Sequence, residues 1–232
     1  MNQLVKGSKK LPYVIVLIGS CASIPAVQAD EFPWLMTAYH YADLSEEQEA
    51  IYRDSYLETM GFLLYGYVDP RNPEAARALN GLIDCTEQTR QKNSWTNYFS
   101  WFVGKHGEKA GAWLLYNEVT PTVCSDYFEK AGTQPRVLQV RSHKEWKSWS
   151  QADRSVYVQG YLDTVAAMQF RLEAQGQPND LDLIAQLITT VGIEGILRDV
   201  EGIEFESEYP LPWSISRGLG RAKDRMQQAS GP

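Results

Sequence analysis

The stretch "SQADRSVYVQGYLDTV" occupies Ser150–Val165, and a near copy, "SEEQEAIYRDSYLETM", occupies Ser45–Met60, 105 residues earlier. Each opens on a serine with an acceptor side chain three residues on, Gln48 in one copy and Asp153 in the other. That is the pattern of a helix N-cap with its capping-box partner. Each continues with a stripe at i, i+4, i+8 and i+11: Tyr52, Tyr56, Met60 and Leu63, then Tyr157, Tyr161, Val165 and Met168. Such spacing places the four side chains on one helical face. At the same offset Pro73 meets Pro178, Leu82 meets Leu187 and Ile83 meets Ile188. Both prolines follow a polar turn and stand where a helix tolerates proline, at its start. Agreement in cap, stripe, turn and second helix reads as duplication. The expected fold is mostly α-helical, with two related helical modules in tandem.

Beyond the second helix the copies diverge. The first runs through Cys85 into Trp95, Tyr98, Phe99 and Phe102, one face of a helix, with Trp101 off that face. A further helix is expected over Glu108 to Val119, with Trp113 and Leu114 facing in. The second copy has Thr190 in place of Cys85, and its continuation includes "DVEGIEFESEYP" from Asp199 to Pro210. Read as extended chain, this stretch projects Glu204, Glu206 and Glu208 from one side and Ile203, Phe205 and Tyr209 from the other. A short β element is therefore expected near 203–209, and a β-like run at Val137–Val140. The expected organisation is an export signal over 1–29, a first module over 30–124 and a linker over 125–148. A second, diverged module over 149–228 and a tail over 229–232 complete it.

The N-terminus supports export. Lys6, Lys9 and Lys10 precede the apolar "LPYVIVLIGS", Pro25 breaks the segment, and "AVQA" offers small residues before a cleavage ahead of Asp30. The apolar run is short for a membrane span. "IGSC" resembles a bacterial lipobox, so the alternative is a lipoprotein anchored through Cys21. Either way Cys85 and Cys124 remain. An even pair in an oxidising compartment is most simply a disulfide, the alternative being two buried free thiols. A periplasmic or secreted location follows.

Removal of the signal takes three lysines and no acid, moving the formal charge from −7 to −10. So acidic a chain is a poor partner for nucleic acid or anionic lipid and suits a protein partner, a basic one included. A membrane enters only through lipidation at Cys21.

Motifs of chemistry are scarce. His40, His106 and His143 have no ligand neighbours at metal spacing, and no phosphate loop, nucleophile elbow or HExxH is present. No metal and no cofactor are implied, and the histidines read as surface or capping residues. Glu204, Glu206 and Glu208 on one edge suit a basic partner or a calcium ion, with a solvated face or an edge protected against aggregation as the plainer alternative. A cell-wall hydrolase acting through Glu204–Glu208 rests on those carboxylates alone. The Arg217, Arg221 and Arg225 stripe suits pairing with that acidic edge. The aromatic cluster is mostly core, which leaves Trp101 as the ring to suspect of binding.

The segment "YRDSYLETMGFLLYGY" through "LIDC", with "FVGKHGEK" around His106 and a closing "TVC", resembles the small exported helical immunity proteins of the Rap/Tai type. These neutralise amidase effectors of type VI secretion. The second copy keeps Gly160 and Tyr161 and lacks the cysteines, and the resemblance covers about 80 residues of the first module. It implies a non-enzymatic protein that binds and inhibits a toxic effector. A structural or accessory subunit of an envelope assembly is the alternative.

Overall fold

In the computed structural model, residues 32–67, 73–91, 96–134, 136, 140–174, 176–203 and 209–229 are described. The protein is all-α. The described helices are α1 Ala38–Ala42, α2 Glu46–Tyr67, α3 Pro73–Gln91, α4 Thr96–His106 and α5 Trp113–Lys130, then α6 His143–Ser148, α7 Gln151–Ala174, α8 Leu181–Glu201 and α9 Leu211–Ala229.

The two serines cap as their spacing predicts. Ser45 Oγ accepts from Gln48 N at 3.2 Å while the Gln48 side chain accepts from Ser45 N at 3.3 Å. Ser150 Oγ accepts from Asp153 N at 3.2 Å. The helices they open, α2 and α7, pack against each other at the centre of the molecule. From Ile51 to Gly61 and from Val156 to Thr164 each helix is buried on all sides. A helix surrounded in this way is a core helix.

Duplication extends further than the capped stretch. Thr37 caps α1 and Ser142 caps α6, 105 residues apart, and the short helices they open bury Tyr41 and Trp146 at matching positions. Ahead of each, one antiparallel bridge ties the cap to the start of a later helix: Thr37 to Gly111, and Ser142 to Pro210. The flanking bonds correspond one to one. Ala38 N donates to Ala110 O at 2.8 Å and Ala112 N to Met36 O at 2.6 Å. In the second half His143 N donates to Tyr209 O at 3.0 Å and Leu211 N to Arg141 O at 2.7 Å. Thus α5 and α9 are counterparts at a register of 99 residues, six fewer than for α1 and α6. The second half is shorter between these points: where the first has α3 and α4, it has α8, which Gly192 (φ +69°) breaks into two helices.

Packing repeats in the same way. In each half the second long helix and its partner pack together, α3 with α5 and α8 with α9, around α2 or α7; α5 also reaches α7, and α9 reaches α2. One contiguous hydrophobic cluster holds both halves, with Tyr52, Tyr56, Trp113, Tyr116, Trp146, Tyr157 and Tyr161 inside it.

Several sequence expectations are corrected. The helix predicted over Glu108–Val119 starts at Trp113 and runs to Lys130, across the expected boundary at residue 124. Residues 110–112 bond to the α1 segment instead, and Gly107 breaks the chain direction with φ +85°. In the second copy the helix starts at Leu181, not at Pro178, and Asp180 occupies the N-cap position. His143 is no surface residue: as the first residue of α6 it is fully buried, and burial lowers its pKa below the usual imidazole value. Segment 141–148, expected as linker, contains α6. The signal segment 1–29 with Cys21, residues 137–139 of the β-like run, and Glu204, Glu206 and Glu208 of the β element lie outside the described residues. Among the described residues no helix is long and apolar enough to cross a membrane.

Candidate functional site

Where α2 crosses α7, two buried carboxylates hold the halves together, and they are equivalent. The Tyr52 hydroxyl donates to Asp163 Oδ2 at 2.6 Å, and the Tyr157 hydroxyl donates to Glu58 Oε2 at 2.6 Å. Tyr52 and Tyr157 are 105 residues apart, as are Glu58 and Asp163. Each half therefore gives the other a tyrosine and receives one. The backbone repeats the exchange: Met36 N donates to Asp163 Oδ2 at 3.3 Å and Arg141 N to Glu58 Oε2 at 3.2 Å. At the centre, Ser55 Oγ donates to Tyr157 O at 2.6 Å beside its counterpart, Gly160. A Cβ on Gly160 would lie 2.9 Å from both Ser55 Cβ and Tyr52 O, so the helices touch backbone to side chain here. Pairing Tyr52 with Asp163, Ser55 with Gly160 and Glu58 with Tyr157 makes the helices antiparallel, related by a twofold through that contact.

The two carboxylates differ in their surroundings. Glu58 lies one turn from Asp54, which accepts from the Arg141 guanidinium at 2.6 Å. Asp163 receives neutral donors: Tyr52, Met36 N and the Gln159 amide at 2.7 Å. Complete burial outweighs those three bonds and pushes the Asp163 carboxyl up to about 7. Burial likewise raises the tyrosines, Tyr56 and Tyr161 to about 12, so all of these hydroxyls stay protonated donors. With 0% exposure for Glu58 and Asp163, these acids meet no solute. They are structural.

The surface tells a different story on α4. Trp101, the ring singled out from its position off the apolar stripe, is 51% exposed. Lys105 Nζ lies 4.9 Å from the centre of that ring, a cation–π contact, and donates to both Glu118 oxygens at 3.1 Å. His106 Nε2 shares Glu118 Oε1 at 2.8 Å, and its ring leans on buried Phe102 at 5.1 Å. One carboxylate from α5 thus fixes the end of α4, and the lysine stem frames the indole. After Gly107 the chain returns to α1, where Tyr39 N donates to Glu108 O at 3.0 Å; the Tyr39 ring is itself 59% exposed. Sequence spacing could not find the Lys105–His106–Glu118 group, because its members come from two helices.

Other candidates resolve as follows. Cys85 is fully buried on α3. The side chain of Cys124 lies outside the described residues, and with it the expected pairing. The acidic residues Glu204, Glu206 and Glu208 also lie outside, so their pairing with the arginine stripe is not described. Those arginines have other partners: Arg225 reaches Asp199 at 2.5 Å, Arg221 donates to Gly202 O at 3.0 Å, and Arg217 stacks on Trp213 at 4.6 Å. Among the described residues no group of three His, Cys, Asp or Glu could hold a metal ion. Compared with protein-family models, with curated proteins and with solved structures, the chain shows no match.

Proposed function

We propose that this is an exported, non-enzymatic protein-binding protein of the bacterial envelope, in its sharpest form an immunity protein that neutralises a toxic effector. The observation that carries the reading is Trp101. It is a half-exposed indole on α4 with the Lys105 ammonium over its ring, and Glu118 holds that ammonium. Rigid, partly exposed tryptophans beside a cation are typical anchors of protein interfaces. The resemblance of the first half to Rap/Tai-type immunity proteins supplies the kind of partner, a cell-wall amidase. The net charge of −10 after export favours a basic surface on that partner. A Cys85–Cys124 bridge belongs to the same proposal. Those residues stand on α3 and α5, which pack together in the first half, and closing a loop of about 40 residues stabilises by about 3–4 kcal/mol.

Deleting the gene is expected to leave cells open to lysis by their own parent strain in mixed culture. Exported wild-type protein is expected to restore survival. Trp101→Ala is expected to weaken effector binding about 30-fold or more, the effect of losing an interface anchor, at unchanged melting temperature. Survival of the deletion strain beside its parent contradicts the immunity reading, and full protection by Trp101→Ala contradicts the site.

A further inference from the structure

The contact between α2 and α7 has the symmetry of a homodimer interface enclosed in one chain. Each half holds both members of the lock, a tyrosine and a carboxylate six residues on: Tyr52 with Glu58, Tyr157 with Asp163. Each also holds the backbone donor that serves the carboxylate opposite, Met36 or Arg141. A face carrying both halves of its own complement is isologous and fits a copy of itself.

What separates the halves is the crossing point. Gly160 has no Cβ, and one built there falls 2.9 Å from Ser55 Cβ, inside contact distance. The crossing therefore admits one side chain and not two. Two first halves would bring Ser55 against Ser55 and collide. Two second halves would bring Gly160 against Gly160, with Tyr157 reaching Asp163 in both directions and Arg141 N serving Asp163.

From this we infer that the α7 face is a docking surface for a second copy of this chain, used when α2 is displaced, and that Ser55 opposite Gly160 keeps the pairing within one chain. The occupant is α7 of the other copy, because it alone presents a glycine at the crossing together with the same lock. The α2 face has no such capacity.

Two substitutions in the full chain separate this from general damage. Ser55→Leu blocks the internal crossing and leaves α7 intact. Gly160→Leu blocks the same crossing and also spoils α7. Light scattering and native mass spectrometry on the Ser55→Leu protein are expected to show a doubled mass that dissociates on dilution. Adding Asp163→Ala is expected to return it to single mass. Gly160→Leu is expected to show no such dimer at any concentration. The inference is overturned if the two single variants behave alike, whether both stay monomeric, both dimerise or both lose their structure. It is also overturned if the Ser55→Leu dimer survives Asp163→Ala.

Discussion

Replacing Gly160 by alanine is expected to cost about 3 kcal/mol of stability, a large effect for one methyl group. In a helix interior alanine ordinarily gains up to about 1 kcal/mol over glycine, because glycine loses more backbone freedom on folding. Here the new Cβ would stand 2.9 Å from Ser55 Cβ and 2.9 Å from Tyr52 O, and the second of these is backbone that cannot rotate away. Relief requires parting α2 from α7. That movement stretches the bonds from Tyr52 to Asp163 and from Tyr157 to Glu58, and it loosens the interior around them. Overpacking of this kind typically costs about 1–3 kcal/mol, and the coupled hydrogen bonds put Gly160 at the upper end. Gly104 on α4 is the control, since nothing lies within 4 Å of a Cβ built there. Gly104→Ala is expected to hold or raise stability. Equilibrium denaturation of the two variants reads both signs.

The second large effect concerns pH. Asp163 has a carboxyl raised from 3.8 to about 7 in the folded protein by burial. Between those values the folded chain holds a proton that the unfolded chain has released. Protonation therefore favours the folded state, and the contribution is complete below pH 3.8. It is lost progressively as the pH rises to about 7, and it is flat beyond. A separation of about three units corresponds to about 4 kcal/mol across that window. Other groups titrate in the same range, so the reading is a difference. Asp163→Asn does not ionise, and its stability relative to wild type is expected to improve by about that amount between pH 4 and pH 7. A constant difference over this range contradicts the assignment.

Part of this architecture was legible in the residues. Ser45 with Gln48, Ser150 with Asp153 and the repeated tyrosines announced two equivalent helices, and those helices are the centre of the fold. Capping and periodicity are local properties, written within a dozen residues, and both survived into the structure. The equivalence of Thr37 with Ser142 and of α5 with α9 was hidden for two reasons. Thr37 and Ser142 head helices of 5 and 6 residues, too short to show a period. The shorter stretch between α7 and α9 then shifts the register from 105 to 99 and breaks any match at constant spacing. The boundary of the first half was misplaced because Cys124 looked like an end, whereas α5 continues to Lys130.

The site was legible to a smaller extent. Trp101 stood out because it fell off an apolar stripe, and it is exposed as that position implies. Its companions Lys105 and Glu118 meet across two helices, which no spacing rule encodes. Asp163 and Glu58 were not singled out at all. Acidic residues at such positions read as solvent-facing until the second helix is known to cover them, and the covering helix is the repeat itself. Those buried acids have a definite role: each accepts a tyrosine from the opposite half, and together they set the register of the crossing.

The account stands on that reciprocal exchange, and double-mutant cycles test it most directly. Tyr52→Phe and Tyr157→Phe each remove one hydroxyl donated to a buried carboxylate, expected to cost about 1.5–3 kcal/mol. Tyr52→Phe combined with Asp163→Ala, and Tyr157→Phe combined with Glu58→Ala, are expected to fall short of additivity by 1 kcal/mol or more, about the value of one such bond. The crossed combinations, Tyr52→Phe with Glu58→Ala and Tyr157→Phe with Asp163→Ala, join residues of the same half and are expected to couple less. Stronger coupling within each half than between the halves would contradict the twofold arrangement on which the pairing of α2 with α7 depends.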